Sequence, residues 1–247
     1  MHVVNEDTAR ERKEDVSMKY GRRAFFGLLA AVGVAFGVFR SWHSLKVFFT
    51  PAKSRVESPG LVNPYKRNGT SLVAMVGGRD VKQMVKLAVS RIGGFEGMPV
   101  KGKTILIKPN VIGSRSSPTT TSPEVVRAVV ELLYSNGADE VFVGDMSALI
   151  RGGTAKNMEK TGIKKAAAEA GAKTVSFEDH GWVSVEVSGR YAKKVELTQW
   201  FFNVDRVVNL PVIKTHRYAG YSICLKNLVG ATHFSQRPYL IDRNHWE

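Results

Sequence analysis

The residue types best suited to chemistry stand at the ends of apolar runs. Lys108-Pro109-Asn110 follows Ile105-Leu106-Ile107, and Gly144-Asp145 follows Val141-Phe142-Val143. Lys214-Thr215-His216 follows Asn209-Leu210-Pro211-Val212-Ile213, and Lys226-Asn227 is set inside the apolar stretch Cys224 to Val229. A charge buried among such neighbours without a partner is costly, so these lysines need counter-groups. Lys108, Lys214 and Lys226 against Asp145 leave a formal +2 if the four converge. Crowded ammonium groups either lose protons or bind an anion.

The stretch Thr119-Thr120-Thr121-Ser122-Pro123-Glu124 supplies a complement. Thr121 with Glu124 fits a capping box and Pro123 suits a first helical turn, so the hydroxyls and free N–H groups there are ready for an anion. Thr120 and Thr121 are therefore candidate ligand-binding residues together with Lys108, Asn110, Lys214, Lys226 and Asn227, the two asparagines orienting the ligand. His216 and Asp145 are the candidate catalytic residues: His216 as general base or metal ligand, Asp145 as second ligand or as its orienting carboxylate. A divalent metal is the cofactor these two would hold. Each residue also has a structural reading: Lys108 snorkelling from a strand end, the threonines as a plain cap, Asp145 capping a turn, His216 in a loop.

The elements that must position these residues follow a βαβ rhythm. Leu72 to Val76 reads as a strand, and Asp80 caps a helix through about Ile92 that carries Val81, Met84, Val85, Ala88 and Ile92 at helical spacing. Thr104 to Ile107 is the next strand, Pro123 to Ser135 a helix ended near Gly137, Glu140 to Val143 a strand, and Ala155 to Ala170 a helix. Lys173 to Phe177, Val183 to Val187 and Val195 to Leu197 are shorter strands, and Val204 to Leu210 a further one. Strands separated by helices predict an α/β fold: a largely parallel Rossmann-like sheet with helices on both faces and a small antiparallel insert. In such sheets ligands bind beyond the carboxyl ends of the strands, where the chemically active residues stand here.

Ahead of this domain (71–247), residues 41–70 read as a linker with Pro51, Pro59 and Pro64, and residues 1–40 as a signal or anchor segment. Ala24 to Phe39 is sixteen residues without a charge, about 24 Å of helix against a hydrocarbon core of roughly 30 Å. Tyr20-Gly21-Arg22-Arg23-Ala24-Phe25-Phe26 directly before it resembles a twin-arginine export signal. Met18 makes a better start than Met1, and no clean A-x-A site follows the run. Six Lys and Arg precede it (Arg10, Arg12, Lys13, Lys19, Arg22, Arg23) and Arg40, Lys46 and Lys53 follow, which favours a body on the outer side of the membrane. At the other end, Ile241-Asp242 reads as the lead-in to another element, so a truncated domain is expected.

The 247 residues carry 36 Lys and Arg against 22 Asp and Glu, a net +14. That charge attracts phosphate polymers and anionic lipid without specificity. Yet no nucleic-acid module is present and the aromatics do not interleave with basic residues, so nucleic acid is not an expected partner. The single cysteine, Cys224, excludes a disulfide framework, a Cys-rich zinc site and a self-contained iron–sulfur cluster. Flanked by Ile223 and Leu225, it reads as a small buried hydrophobe.

In this order, Lys108 to Asn110, Thr119 to Val126, Gly144-Asp145, Asn209 to Pro211, Lys214 to His216 and Leu225 to Gly230 resemble the family called "domain of unknown function 362". The resemblance covers about Thr104 to Thr232. It implies an exported or membrane-anchored protein, since members often carry a twin-arginine leader. It also implies a ferredoxin-like redox partner, since some members are fused to cluster modules. The expectation is a protein that binds a small carboxylate or phosphate, as a metal-assisted enzyme of unknown reaction; the alternative is a noncatalytic redox accessory whose iron–sulfur ligands come from a partner.

Overall fold

The computed structural model describes the backbone of residues 52–57 and residues 63–148, 151–187, 192–217 and 219–240. The chain divides into two compact units, Met1–His43 and Ser44–Glu247, and every described residue belongs to the second. The apolar run 24–39, the paired arginines and the final residues 241–247 lie outside the described residues. Among the described residues no helix is long and apolar enough to cross a membrane.

The strands are β1 (Ala52–Glu57), β2 (Lys66–Arg67), β3 (Thr70–Ser71), β4 (Thr104–Pro109), β5 (Glu140–Asp145), β6 (Lys173–Ser176), β7 (Trp182–Glu186), β8 (Lys194–Thr198), β9 (Arg206–Leu210), β10 (Lys214–His216) and β11 (Gly220–Ser222). The helices are α1 (Val81–Arg91), α2 (Pro123–Ser135), α3 (Thr154–Lys160), α4 (Ile163–Glu169), α5 (Cys224–Leu228) and α6 (Arg237–Leu240). The central sheet has the order β6-β5-β4-β9, all parallel.

Strand β4 is buried over five of its six residues because it pairs on both edges, with β5 and with β9, and is covered on both faces. Its side chains alternate. Ile105 and Ile107 join Val141 and Val143 of β5 in one core with Val126, Val129, Val130 and Leu133 of α2 and with Met158 and Ile163. Leu106 points the other way, into a second core with Phe177, Trp182, Met146 and Ala231. On that face the expected helices are short ones. The 3₁₀ turns Phe177–Asp179, Gln199–Phe201, Val229–Ala231 and Phe234–Gln236 lie there with the three-stranded sheet β1-β7-β8. Within it β7 and β8 are antiparallel, the small insert expected from the sequence.

The chain leaves β4 through α2 to β5 on one side, whereas β9 lies on the other side, with Lys108 beside Asn209. The strand order therefore reverses at the carboxyl ends of β4 and β9, where an open α/β sheet leaves a crevice.

Three sequence expectations are corrected. Leu72 to Val76 forms no strand: Val73 is 89% and Met75 92% exposed, and among the described residues the run joins no ladder. The helix expected over Ala155 to Ala170 is two helices, because Gly162 adopts a left-handed φ of 81° and interrupts the hydrogen-bond series between α3 and α4. The N-cap of α2 is Ser122, whose hydroxyl accepts the Glu124 N–H, and not Thr121. The Thr121 hydroxyl is already committed, accepting the Asn110 N–H at 2.8 Å and donating to the Leu210 carbonyl at 2.7 Å, a tie between the exits of β4 and β9.

Candidate functional site

Two strand ends, a hairpin and a short helix deliver side chains to one place. Lys108 and Asn110 come from the end of β4, Asp145 from the end of β5, Lys214 and His216 from the β10–β11 hairpin, and Lys226 and Asn227 from α5. Together they line a cavity of about 290 Å³ at the carboxyl edge of the sheet. Thr120 and Thr121, also expected there, do not line it; they are 0% and 4% exposed, packed behind it.

Lys108 is fully buried, and its Nζ donates to Asp145 Oδ1 at 2.6 Å and to the Pro109 carbonyl at 3.2 Å. The second carboxylate oxygen of Asp145 accepts the Val111 N–H at 2.7 Å. Burial pulls the Lys108 amine below the usual lysine range, opposed by Asp145 and reinforced by Arg237. The turn Val229–Ala231 closes over this pair. A Cβ on Gly230 would stand 2.8 Å from Lys108 Nζ and would also strike Asp145 Oδ1, so only glycine fits there.

The asparagines brace the walls. Asn227 Nδ2 donates to Asn209 Oδ1 at 2.7 Å and lies 3.3 Å from the Lys108 and Pro109 carbonyls, while Asn209 Nδ2 donates to the Cys224 carbonyl at 2.9 Å. These bonds fasten α5 across the ends of β4 and β9. Asn110 Nδ2 donates to the Thr119 carbonyl at 3.0 Å, which also accepts Lys214 Nζ at 2.6 Å.

The cavity is strongly cationic. Among the described residues that line it, Lys108, Lys214, Lys226 and Arg237 stand around one carboxylate, Asp145, so these five groups carry a formal +3. Burial lowers the Lys214 amine, partly opposed by Asp145. Lys226 is pushed down to about 8 by burial and by the neighbouring Arg237, Lys214 and Lys108 charges. His216 is likewise held below the usual histidine range by burial, Lys226 and Lys214. Its Nδ1 accepts the Ala219 N–H at 3.1 Å, so the neutral ring carries its proton on Nε2. A general-base role for His216 requires Nδ1 to be released from the Ala219 N–H.

The residues do not fit a metal ion. Among the described residues no three His, Cys, Asp or Glu side chains are grouped to hold one. Asp145 has both oxygens engaged, and His216 is bordered by ammonium groups that repel a second cation. The expectation of Asp145 and His216 as ligands of a divalent metal is corrected accordingly.

Arg237 lines the cavity too, although no motif in the sequence singled it out. It is 7% exposed, and its guanidinium donates to the carbonyls of Thr232 (3.2 Å), Met146 (3.1 Å), Ser147 (3.2 Å) and Gly230 (2.7 Å). Burial lowers it to about 10, with Asp145 and Glu178 opposing. A planar fork suits such a set of fixed acceptors, but no spacing along the chain foretells it. Its own bonds stitch the loop after β5 to the turn over the Lys108–Asp145 pair. Cys224 is exposed, not buried as expected: α5 turns Asn227 inward and leaves its first residues outside.

A family model described as "Domain of unknown function (DUF362)" matches residues 105–245. A stretch of 148 residues is 30% identical to "Thylakoid-associated protein sll1697" of Synechocystis sp., covering 56% of this chain and 42% of that protein. The chain thus spans less than half the length of the curated relative it matches. No solved structure matches.

Proposed function

The chain belongs to the domain of unknown function 362 family, and from that premise we propose that it binds a small carboxylate or phosphate in the cavity at the sheet's carboxyl edge. One observation carries this reading: among the described lining residues there are four cations, and the one carboxylate is spent on Lys108 and the Val111 N–H. What remains toward the cavity is rich in donors and calls for an acceptor-rich, negatively charged ligand. Lys214 and Lys226 supply charge, and Asn110 and Asn227 a rigid frame.

The N-terminal Arg22-Arg23 segment and apolar run support a body exported across, or anchored to, a membrane. The name of the Synechocystis relative, a thylakoid-associated protein, is consistent with that location.

Thermal unfolding with inorganic phosphate or oxalate tests the site. A ligand at a hundredfold excess over its dissociation constant stabilises by about 2.7 kcal/mol, which is about 5 to 10 °C for a chain of this size. Lys214→Ala and Lys226→Ala should each remove most of that increment while the unliganded protein still unfolds cooperatively. An unchanged response to both anions in both variants overturns the reading, and the stronger of the two identifies the headgroup.

A further inference from the structure

Lys226 asks for more than a charge-pairing role. It sits in the five-residue helix α5, bonded across two strand ends by Asn227 and Asn209, so its amine is aimed from a braced platform. Three other cations, Lys108, Lys214 and Arg237, bear on it. Apolar groups make up much of the remaining lining, among them Val111, Ile112, Met146, Val229 and Phe234. A lysine walled by apolar groups and crowded by other cations loses its proton readily and becomes a nucleophile.

We infer that Lys226 is a nucleophilic amine that forms an imine with the carbonyl of a small 2-oxo acid, whose carboxylate is held by the neighbouring cations. This rests on the anion-binding reading of the same cavity and names its substrate class. The electron pair on Nζ attacks the carbonyl carbon, a C–N bond forms as the C=O π bond breaks, and one proton of the attacking nitrogen moves to the carbonyl oxygen, which becomes a hydroxyl. One proton, taken from the ammonium groups bordering the cavity, leaves with that hydroxyl as water. The product is the protonated imine, with no net oxidation or reduction. Apolar walls favour the step because it expels water. Phosphate, having no electrophilic carbon, occupies the cavity only as a competitor.

With the amine near 8, about a quarter of Lys226 is neutral at pH 7.5, against about one part in a thousand for an ordinary lysine. Allowing for the weaker nucleophilicity of a less basic amine, labelling should run roughly tenfold faster than at exposed lysines.

The full chain incubated with pyruvate and cyanoborohydride, followed by peptide mapping, decides it. The expected result is saturable trapping at Lys226 that is suppressed by oxalate, lost in Lys226→Arg and retained in Lys165→Arg, a change at an exposed helical surface site. The trapping rate should rise with pH through 8. An unlabelled Lys226 in protein that oxalate still stabilises overturns the imine and leaves anion binding standing. Failure of both labelling and oxalate stabilisation overturns both. Unsaturable labelling spread over Lys156, Lys160, Lys164 and Lys165 also overturns it.

Discussion

Replacing Asp145 with Asn removes the negative partner of Lys108 while keeping its shape. The side chains of the pair are 0% and 4% exposed and meet at 2.6 Å, and the other oxygen of Asp145 accepts the Val111 N–H. An amide cannot satisfy both donors, because its NH2 must face either the ammonium or the Val111 N–H. Lys108 is then a buried charge with Arg237 still bearing on it. Breaking a buried pair from one side costs about 3 to 5 kcal/mol, a fall in Tm of about 6 to 20 °C at this chain length. The pH dependence has a definite sign. Burial already holds the folded Lys108 amine below the usual lysine range, so above that lowered value the unfolded chain binds more protons and stability rises with pH. Without Asp145 the lowering deepens. The penalty should therefore be largest near neutrality and shrink toward pH 10 in urea titrations followed by circular dichroism. Lys108→Met in the Asn background should recover part of the loss by removing the stranded charge. A penalty below about 1 kcal/mol, or one that grows with pH, would refute the view of a tightly buried pair.

Gly230→Ala should lower the urea midpoint by the equivalent of about 1 to 3 kcal/mol, since its methyl meets Lys108 Nζ at 2.8 Å in a pair that cannot move aside; an unchanged midpoint means the turn can lift freely. Oxalate affinity measured by calorimetry should weaken by about tenfold as pH rises from 7 to 9.5, because Lys226 loses its charge near 8 and a bond to a charged donor contributes about 1.5 to 3 kcal/mol. A flat profile removes Lys226 from the ligand's contacts. Arg22→Lys with Arg23→Lys should abolish membrane translocation of a fused reporter, and undiminished export rejects the twin-arginine reading of the N-terminus.

Much of the fold was legible because its signals are local. Residues 104–107 and 141–143 are apolar runs of strand length, and 123–135 has helical spacing between Pro123 and Gly137, so the parallel sheet could be read before any contact was known. The candidate site was legible to the same extent: apolar strands ending in Lys108, Asp145 and Asn209-Leu210-Pro211 mark a carboxyl edge. The break at Gly162, the three-residue strands β10 and β11 and the choice of Ser122 over Thr121 as cap were not legible. Each depends on which group wins a hydroxyl or a φ angle once distant segments arrive.

The order of residue types along the chain determined that lysines would end up among apolar neighbours, because hydrophobic periodicity dictates burial without reference to partners. Only tertiary structure decided what each charge meets. Asp145 reaches Lys108 across 37 positions through the register of β4 and β5, and Lys214 reaches the Thr119 carbonyl across 95. Arg237 enters the cavity wall on backbone carbonyls supplied by two separate segments, 146–147 and 230–232. Electrostatic and hydrogen-bond partnership falls off over a few ångströms of space, a distance that position along the chain does not encode.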